Sequence, residues 1–247
     1  MKKHKTTKKE KRKMNVLAIC CHPDDMEINC CGTLLRCKKR GDNVTVCHVA
    51  NGNMGHVVIQ PDELRVIRAK EAQNSGTSAG FKVVTCDVGD LLLDDYSKEQ
   101  RDRLVKIIRD AQPDFIITHA PNDYMLDHVA VSKLAFAASF AASCPHYEPQ
   151  LGKETPVTPI YYMENADLVD SEPDYFVDIT DELETKLEML ARHESQIVWL
   201  KDHDNIDVLE KTRTLSAFRG FQSGVKYAEG FRRCNVGLRN TTKRLLP

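Results

Sequence analysis

At 247 residues, the chain is long enough for one large α/β domain with a substantial core, and two small domains are the less favoured division. Hydrophobic residues make up 41% of the sequence and charged residues 29%, as in an ordinary soluble globular protein. Because the formal net charge is −1, we expect neither nucleic acid nor an anionic membrane as the main partner.

The first 13 residues hold a concentration of positive charge, with lysine or arginine at most positions from Lys2 to Lys13. This segment contains almost nothing apolar to bury, so it predicts a disordered tail. A basic arm for nucleic acid or a membrane surface is the alternative. No long apolar segment follows it, so we expect neither a signal peptide nor a membrane span. We therefore expect a cytoplasmic protein with a tail at residues 1–13 and one domain at residues 14–247.

The domain begins with an apolar strand at residues 16–21, which ends abruptly at His22-Pro23-Asp24-Asp25. A helical pattern then runs from about Met26 to Arg40, and a second buried strand covers residues 44–49. The polar residues thus lie between a strand and a helix. In open parallel sheets this position is at the carboxyl edge of the strands, where ligands bind.

The alternation of strands and helices continues along the chain. A glycine-containing loop at residues 51–56 follows the second strand, and Pro61 opens the next helix. Further strands are predicted near residues 83–84, 115–118, 160–163 and 175–179. Further helices are predicted after Ser97, from about Asp127 to Ser143, after Thr180, which is expected to cap its helix, and from Val208 to about Gly220. Residues 227–234 predict an irregular finish. The expected fold is a single Rossmann-like α/β domain with a doubly wound, mainly parallel sheet.

The nine cysteines do not suggest a disulfide framework, because most lie inside apolar strand or helix patterns and their number is odd. The neighbouring pairs Cys20-Cys21 and Cys30-Cys31 could bind a soft metal. We favour small buried side chains, since adjacent strand residues point to opposite faces of a sheet.

Two polar clusters at strand ends each combine histidine with aspartate. A hydrolytic zinc site needs about three protein ligands and an open position for water. His22, Asp25 and His128 can supply two imidazoles and one carboxylate. Asp24 is then left to act as the general base, taking a proton from the activated water and passing it to a leaving amine. The alternative is an ordinary turn with an aspartate helix cap, and the second cluster weakens it.

Several of these motifs resemble one known family. They are His22-Pro23-Asp24-Asp25-Met26-Glu27, Gly32-Thr33-Leu34, Asn122-Asp123 and Asp127-His128-Val129-Ala130, with further similarity at residues 51–52, 63–71, 177–180, 193–196 and 219–220. The pattern resembles the PIG-L/LmbE-like family of zinc-dependent N-acetylglucosaminyl deacetylases. It implies an LmbE-like fold and removal of the acetyl group from an N-acetylglucosamine-type amino sugar or a related small N-acyl metabolite. The same resemblance makes His22, Asp25 and His128 ligands of Zn²⁺ or another divalent metal, and Asp24 the base.

The resemblance also predicts residues around the metal. Arg68 matches a family arginine that reaches the substrate, although a salt bridge to Glu71 or Glu63 is the alternative. The other predicted substrate contacts are Asn53, Asp123 and Tyr124. Because carboxylates usually orient metal-bound imidazoles, Asp127 and Asp90 are also predicted to orient the ligands, with Asp123 as a further candidate. Asp90 and Asp123 could instead be ordinary turn aspartates. His193 is expected to be structural or to contact a second subunit, and a homo-oligomer is consistent with the family.

Met125 is the most consequential departure from the family pattern, which usually has histidine there to stabilise the tetrahedral oxyanion. Methionine cannot donate a hydrogen bond, so stabilisation must come from the metal or another donor. Tyr124 or His119 could substitute, although we favour a packing role for each. Asn29 and Cys31 stand at positions where the family commonly has glycine. They leave the identity of the substrate open. The alternative function is therefore a metal- and sugar-binding protein with lost or altered hydrolysis.

Overall fold

The computed structural model describes residues 12–168, 170 and 172–247. Within them, seven strands form one sheet in the order β3-β2-β1-β4-β5-β7-β6. The strands are β1 (Asn15–Cys20), β2 (Asn43–Ala50), β3 (Lys82–Val88), β4 (Phe115–His119), β5 (Ile160–Met163), β6 (Tyr175–Asp178) and β7 (Ala228–Arg233). The helices are α1 (Asp25–Asn29), α2 (Cys31–Arg40), α3 (Pro61–Ser78), α4 (Lys98–Ala111), α5 (Leu126–Ala141), α6 (Leu183–Leu190), α7 (Glu194–Asp204) and α8 (Val208–Ser223).

Strand β1 is the centre of the sheet and is parallel to both of its neighbours, β2 and β4. Its side chains alternate between two apolar cores: Val16 and Ala18 pack on one face of the sheet, and Leu17 and Ile19 on the other. A strand buried on both faces reads as a continuous apolar run, which explains the unbroken pattern in the sequence. The strand order reverses between β1 and β4, so the loops after these two strands flank the crevice in which such sheets bind ligands.

The predicted α/β fold with a mainly parallel sheet is confirmed, and the structure departs from the prediction at three points. The helix predicted from about Met26 to Arg40 is interrupted at Cys30, whose φ of −146° is not helical. Thr180 does not cap α6, which begins at Leu183; its hydroxyl accepts a hydrogen bond from the Tyr227 amide instead. The irregular finish is wrong as well, because β7 pairs antiparallel with β5 and β6.

The β7 strand escaped prediction because its sequence contains a buried carboxylate. Glu229 accepts hydrogen bonds from the Gly32 and Thr33 amides and from Lys186 Nζ at 2.7 Å. These tertiary partners satisfy the charge, and no local pattern reveals them.

The predicted disordered tail lies outside the described residues as far as residue 11. Arg12 is described, and its guanidinium lies 3.1 Å from Asp114 Oδ1. Among the helices of the described part of the chain, none has the length and apolar character needed to span a bilayer.

His48, near the end of β2, is expected to make the stability of the fold depend on pH. Burial lowers its pKa from 6.5 to about 4. The unfolded chain therefore binds this proton at a higher pH than the folded chain, so protons favour unfolding as the pH falls below about 6.5. Between pH 7 and pH 4 we expect the wild-type free energy of unfolding to drop by about 3 kcal/mol relative to His48→Gln. Urea denaturation of both proteins measures this difference, and parallel curves would contradict it.

Candidate metal and catalytic site

The turn after β1 presents His22, Asp24 and Asp25 within four residues. The Asp25 carboxylate folds back on this turn, because Oδ2 accepts a hydrogen bond of 2.6 Å from the His22 amide. Helix α1 begins at Asp25 itself. Across the strand-order reversal, the loop after β4 leads into α5, whose first turn carries His128. Sheet topology thus brings together two motifs about a hundred residues apart.

The three predicted ligands do converge. His22 Nδ1 lies 3.6 Å from Asp25 Oδ2, and His128 Nε2 lies 3.4 Å from Asp25 Oδ1. Together with the Cys21 thiol, their donor atoms all lie within 4.8 Å of one another. Two imidazoles and a carboxylate are a donor set that catalytic zinc uses. Cys21 was predicted as a core residue, and its buried side chain also packs in the apolar core.

Carboxylates stand behind both imidazoles. His22 Nε2 is 3.4 Å from Asp127 Oδ2 and 3.9 Å from Asp90 Oδ1, while His128 Nδ1 is 3.2 Å from Asp123 Oδ2. The other ring nitrogens, His22 Nδ1 and His128 Nε2, face Asp25. The His128 side chain is buried, and its Nε2 has no hydrogen-bond partner among the described residues. The residues present therefore fit a divalent metal, because the imidazoles are oriented by carboxylates as metal-bound histidines usually are.

The electrostatic field of the site also suits a cation. Burial disfavours the charged form of His128, but Asp25 and Asp123 outweigh it and raise the pKa of this imidazole to about 9. Burial likewise opposes ionisation of Asp25, whose pKa is nevertheless held well below its usual range by His128 and His119. Carboxylates concentrated in a buried site attract a proton or a metal ion.

Asp24 is adjacent to Asp25 in sequence but has a different environment. Its φ of 121° is unusual for a residue other than glycine, and its carboxylate does not belong to the donor cluster. Burial raises the pKa of Asp24 to about 6, with the Arg68 charge opposing. A carboxylate with a pKa close to neutral is suited to general base catalysis.

Arg68 on α3 holds the Asp24 turn. Its guanidinium donates to Asp24 Oδ2 at 3.2 Å, to Gly52 O at 3.1 Å and to Pro23 O. The alternative salt bridge to Glu71 is wrong, because Glu71 instead accepts hydrogen bonds from the Ser195 amide and hydroxyl. The buried Arg68 guanidinium therefore contacts the Asp24 carboxylate and forms part of the wall around it.

These groups open on a cavity of about 380 Å³. Its wall includes His22, Asp24, Asp25, Arg68, Tyr124, Asp127 and His128, together with Met125 and several apolar side chains. Tyr124, predicted to contact substrate, is 47% exposed and its ring lies edge-on to His128. A second cavity, between α3 and strands β2 and β3, contains none of the predicted ligands.

Two predicted substrate contacts do not line this cavity. Asn53 uses its Oδ1 to accept from the Asp90 amide at 3.0 Å, so it supports the loop that carries Asp90. Asp123 lies behind His128 with its side chain 1% exposed. The position of Asp123 fits the orientation of an imidazole and does not fit substrate contact.

Two further histidines near the site, His119 and His193, are packed in the interior. His119 Nε2 accepts a hydrogen bond of 2.9 Å from the Cys21 amide and its ring stacks on His128, as the preferred packing role predicted. His193 is fully buried with Nε2 3.1 Å from Glu27 Oε1, which agrees with a structural role. The cavity residues Gln196, Trp199 and Leu200 of α7 were not predicted, because α7 reaches the site through tertiary packing, and the family resemblance at residues 193–196 assigned none of them to the site.

Comparison with known proteins supplies the family. A model of the PIG-L family, described as GlcNAc-PI de-N-acetylase, matches residues 17–139. Diacetylchitobiose deacetylase of Thermococcus kodakarensis is 30% identical over 224 residues, covering 88% of this chain and 82% of that protein. The chain belongs to the PIG-L family. The predicted family is thus confirmed, and this PIG-L member has the donor set expected of a metal-dependent amide hydrolase.

Solved structures agree on the fold. N,N′-diacetylchitobiose deacetylase from Pyrococcus horikoshii superposes with a TM-score of 0.77 at 29% identity, over 89% of this chain and 83% of that one. GalB, a 4-carboxy-2-hydroxymuconate hydratase from Pseudomonas putida, gives 0.79 at 22% identity, over 94% and 100%. The second likeness shows the fold alone.

Proposed function

We propose that the protein is a zinc-dependent hydrolase that removes the acetyl group from an N-acetylglucosamine-type amino sugar or a related small N-acyl metabolite. His22, Asp25 and His128 would hold the metal, for which another divalent ion is the alternative. The observation that carries the proposal is the buried Asp24 carboxylate beside this donor set, within a chain of the PIG-L family.

The bound metal would supply Lewis-acid chemistry, lowering the pKa of water and polarising the amide carbonyl. Asp24 accepts a proton from the attacking water as its oxygen bonds to the carbonyl carbon. Asp24 then gives this proton to the nitrogen as the C–N bond breaks, so acetate and a free amine leave. Arg68 keeps Asp24 Oδ2 in place through the 3.2 Å contact. Asp127 and Asp90 orient His22, and Asp123 orients His128.

Tyr124 is the residue in the loop before α5 that we propose to bind substrate. Burial raises the pKa of its hydroxyl above the usual value, so the hydroxyl stays protonated and can donate a hydrogen bond at neutral pH. Met125, in the position of the expected histidine, lines the cavity but cannot donate. The oxyanion would therefore rely on the metal and on Tyr124.

We expect Met125→His to raise kcat by about tenfold or more, because a missing oxyanion donor can account for about 10²- to 10³-fold in rate. The side chain already faces the cavity, which gives an introduced imidazole access to the substrate. Steady-state kinetics on the zinc-loaded proteins measure the change. Met125→Leu is the matched control and should match the wild type. An unchanged kcat in Met125→His would show that this position does not limit the reaction.

Met125 also favours the second candidate, a metal- and sugar-binding protein that does not hydrolyse its ligand. A mass-spectrometric screen of N-acetylated amino sugars with the zinc-loaded protein separates the two, with His22→Ala as the blank. We expect one acetyl group to be lost from at least one amino sugar. Tight zinc and sugar binding without any acetate would support the second candidate instead.

A further inference from the structure

The mouth of the candidate active site has an apolar wall, which we call the collar: Met54, Leu91, Met125, Trp199 and Leu200. The collar shares one cavity with Asp24 and the metal-binding donor set. Leu91 is 78% exposed and Met54 is 53% exposed, whereas Asp24, Asp25 and His128 are buried. The cavity therefore has buried polar groups in its interior, and its exposed side chains are the apolar Met54 and Leu91 together with Tyr124.

Leu91 is held in this position at a conformational cost. Its φ of 63° lies in the left-handed region, which leucine rarely adopts. The Leu91 amide donates a hydrogen bond of 2.8 Å to Asp127 Oδ2, the carboxylate that faces His22. Exposure of an apolar side chain to water is unfavourable, and so is the left-handed backbone conformation of Leu91. Backbone strain of this kind is concentrated at sites that bind ligands. Through the hydrogen bond to Asp127, the strained turn holds the exposed Leu91 side chain beside the metal-binding donor set.

Two loops and α7 complete the collar. The Met54 amide donates to Asp90 Oδ2 at 3.0 Å, so the carboxylates near His22 position both Met54 and Leu91. From the opposite side, the Trp199 ring packs against His56 and stacks on His203. The collar is fixed by these contacts and is not a set of independent exposed side chains.

The collar residues offer one side-chain hydrogen-bond donor, the Trp199 indole N–H. Nearby, the Gln196 amide already donates to Gly55 O at 3.0 Å. A second sugar ring placed here would lose water from several hydroxyls and regain few hydrogen bonds, which is unfavourable. An alkyl or aryl group would instead bury apolar surface against apolar surface.

We propose that the substrate is an N-acyl amino sugar whose aglycone is an alkyl or aryl group, and that this group packs against the collar. The proposal rests on the proposed function for the position of the sugar and deepens it by naming the class of substituent. Leu91 is then a residue that determines specificity, with no part in the chemical step.

The test compares the methyl and phenyl glycosides of N-acetylglucosamine, each as both anomers, with N,N′-diacetylchitobiose on zinc-loaded protein. For one anomer, we expect KM for the phenyl glycoside to be about tenfold lower than KM for the methyl glycoside and for the disaccharide. The kcat values for the two glycosides should agree within about twofold, because the collar binds ground state and transition state alike. Equal KM values, or a preference for the disaccharide, would overturn the proposal.

Variants at Leu91 and Leu92 test whether Leu91 causes the preference for the phenyl glycoside. Asparagine tolerates the left-handed conformation, so Leu91→Asn keeps the turn and removes the apolar surface. We expect it to reduce the phenyl-to-methyl preference by about threefold or more. Leu92→Asn is the matched control, since Leu92 is 68% exposed but does not line the cavity, and it should keep the preference. An unchanged preference in Leu91→Asn would contradict the role of Leu91.

Calorimetric titration of the same glycosides separates this proposal from the proposed function. Tighter binding of the phenyl glycoside without acetate release would refute hydrolysis and retain the collar. Release of acetate with equal affinity for the two glycosides would retain hydrolysis and refute the collar.

Discussion

Asp24→Asn is expected to lower kcat by about 10²- to 10⁴-fold while the protein keeps its bound metal, because asparagine preserves the shape of the side chain but cannot accept the proton. Asp24 lies outside the His22, Asp25 and His128 donor set and contacts Arg68 instead. The loss should therefore appear in the chemical step and not in metal content. Steady-state kinetics combined with elemental analysis of the purified variant measures both quantities.

Asp62→Asn is a suitable control, since Asp62 lies in the first turn of α3 and does not line the site cavity. It should behave as the wild type. If Asp24→Asn retained its kcat, Asp24 would not be the base. If it lost the metal, the separation of roles between Asp24 and Asp25 would be wrong.

His128→Ala is expected to abolish stable metal binding and, with it, turnover. The reason is that the remaining donors, His22 and Asp25, fall short of the three ligands that catalytic zinc sites use. Asp123→Asn should have a smaller effect, a loss of about 10- to 100-fold in metal affinity, because Asp123 faces the outer nitrogen of His128 and not the nitrogen on the side of Asp25. Competition with a chromogenic chelator gives both affinities.

His146→Ala provides the histidine control, because His146 is exposed and is not part of the donor set formed by Cys21, His22, Asp25 and His128. Its zinc affinity should equal that of the wild type. Wild-type affinity in His128→Ala would show that the metal binds elsewhere, and equal losses in His128→Ala and Asp123→Asn would contradict the distinction between direct ligand and orienting carboxylate.

Much of the fold could be predicted because its strands are buried on both faces. The runs at residues 16–21 and 115–117 are apolar without interruption, as is typical of parallel central strands. Strand β7 could not be predicted in this way, since the partners of Glu229 lie in α2 and at Lys186, far away in the sequence. The break at Cys30 is similarly a tertiary effect, because both halves of the predicted helix have helical patterns.

The convergence of His22, Asp25 and His128 could be predicted because short motifs at strand ends meet at one sheet edge. The neighbours of the metal ligands were harder to predict, since spacing does not say which way a side chain points. Asn53 was therefore expected at the substrate, and the structure places it beside Asp90. Asp123 was predicted both as a substrate contact and as a carboxylate that orients an imidazole, and its place behind His128 fits the second role. The α7 wall of the cavity depends on packing between distant elements and left no local pattern.

The central claim is that a metal held by His22, Asp25 and His128 drives release of acetate. The most direct measurement titrates metal-free protein with zinc while acetate release from the best N-acetyl amino sugar is followed. We predict that the rate rises linearly to a plateau at about one zinc per chain, and that His22→Ala stays inactive throughout. Full acetate release by the metal-free protein, or by His22→Ala, would contradict the account.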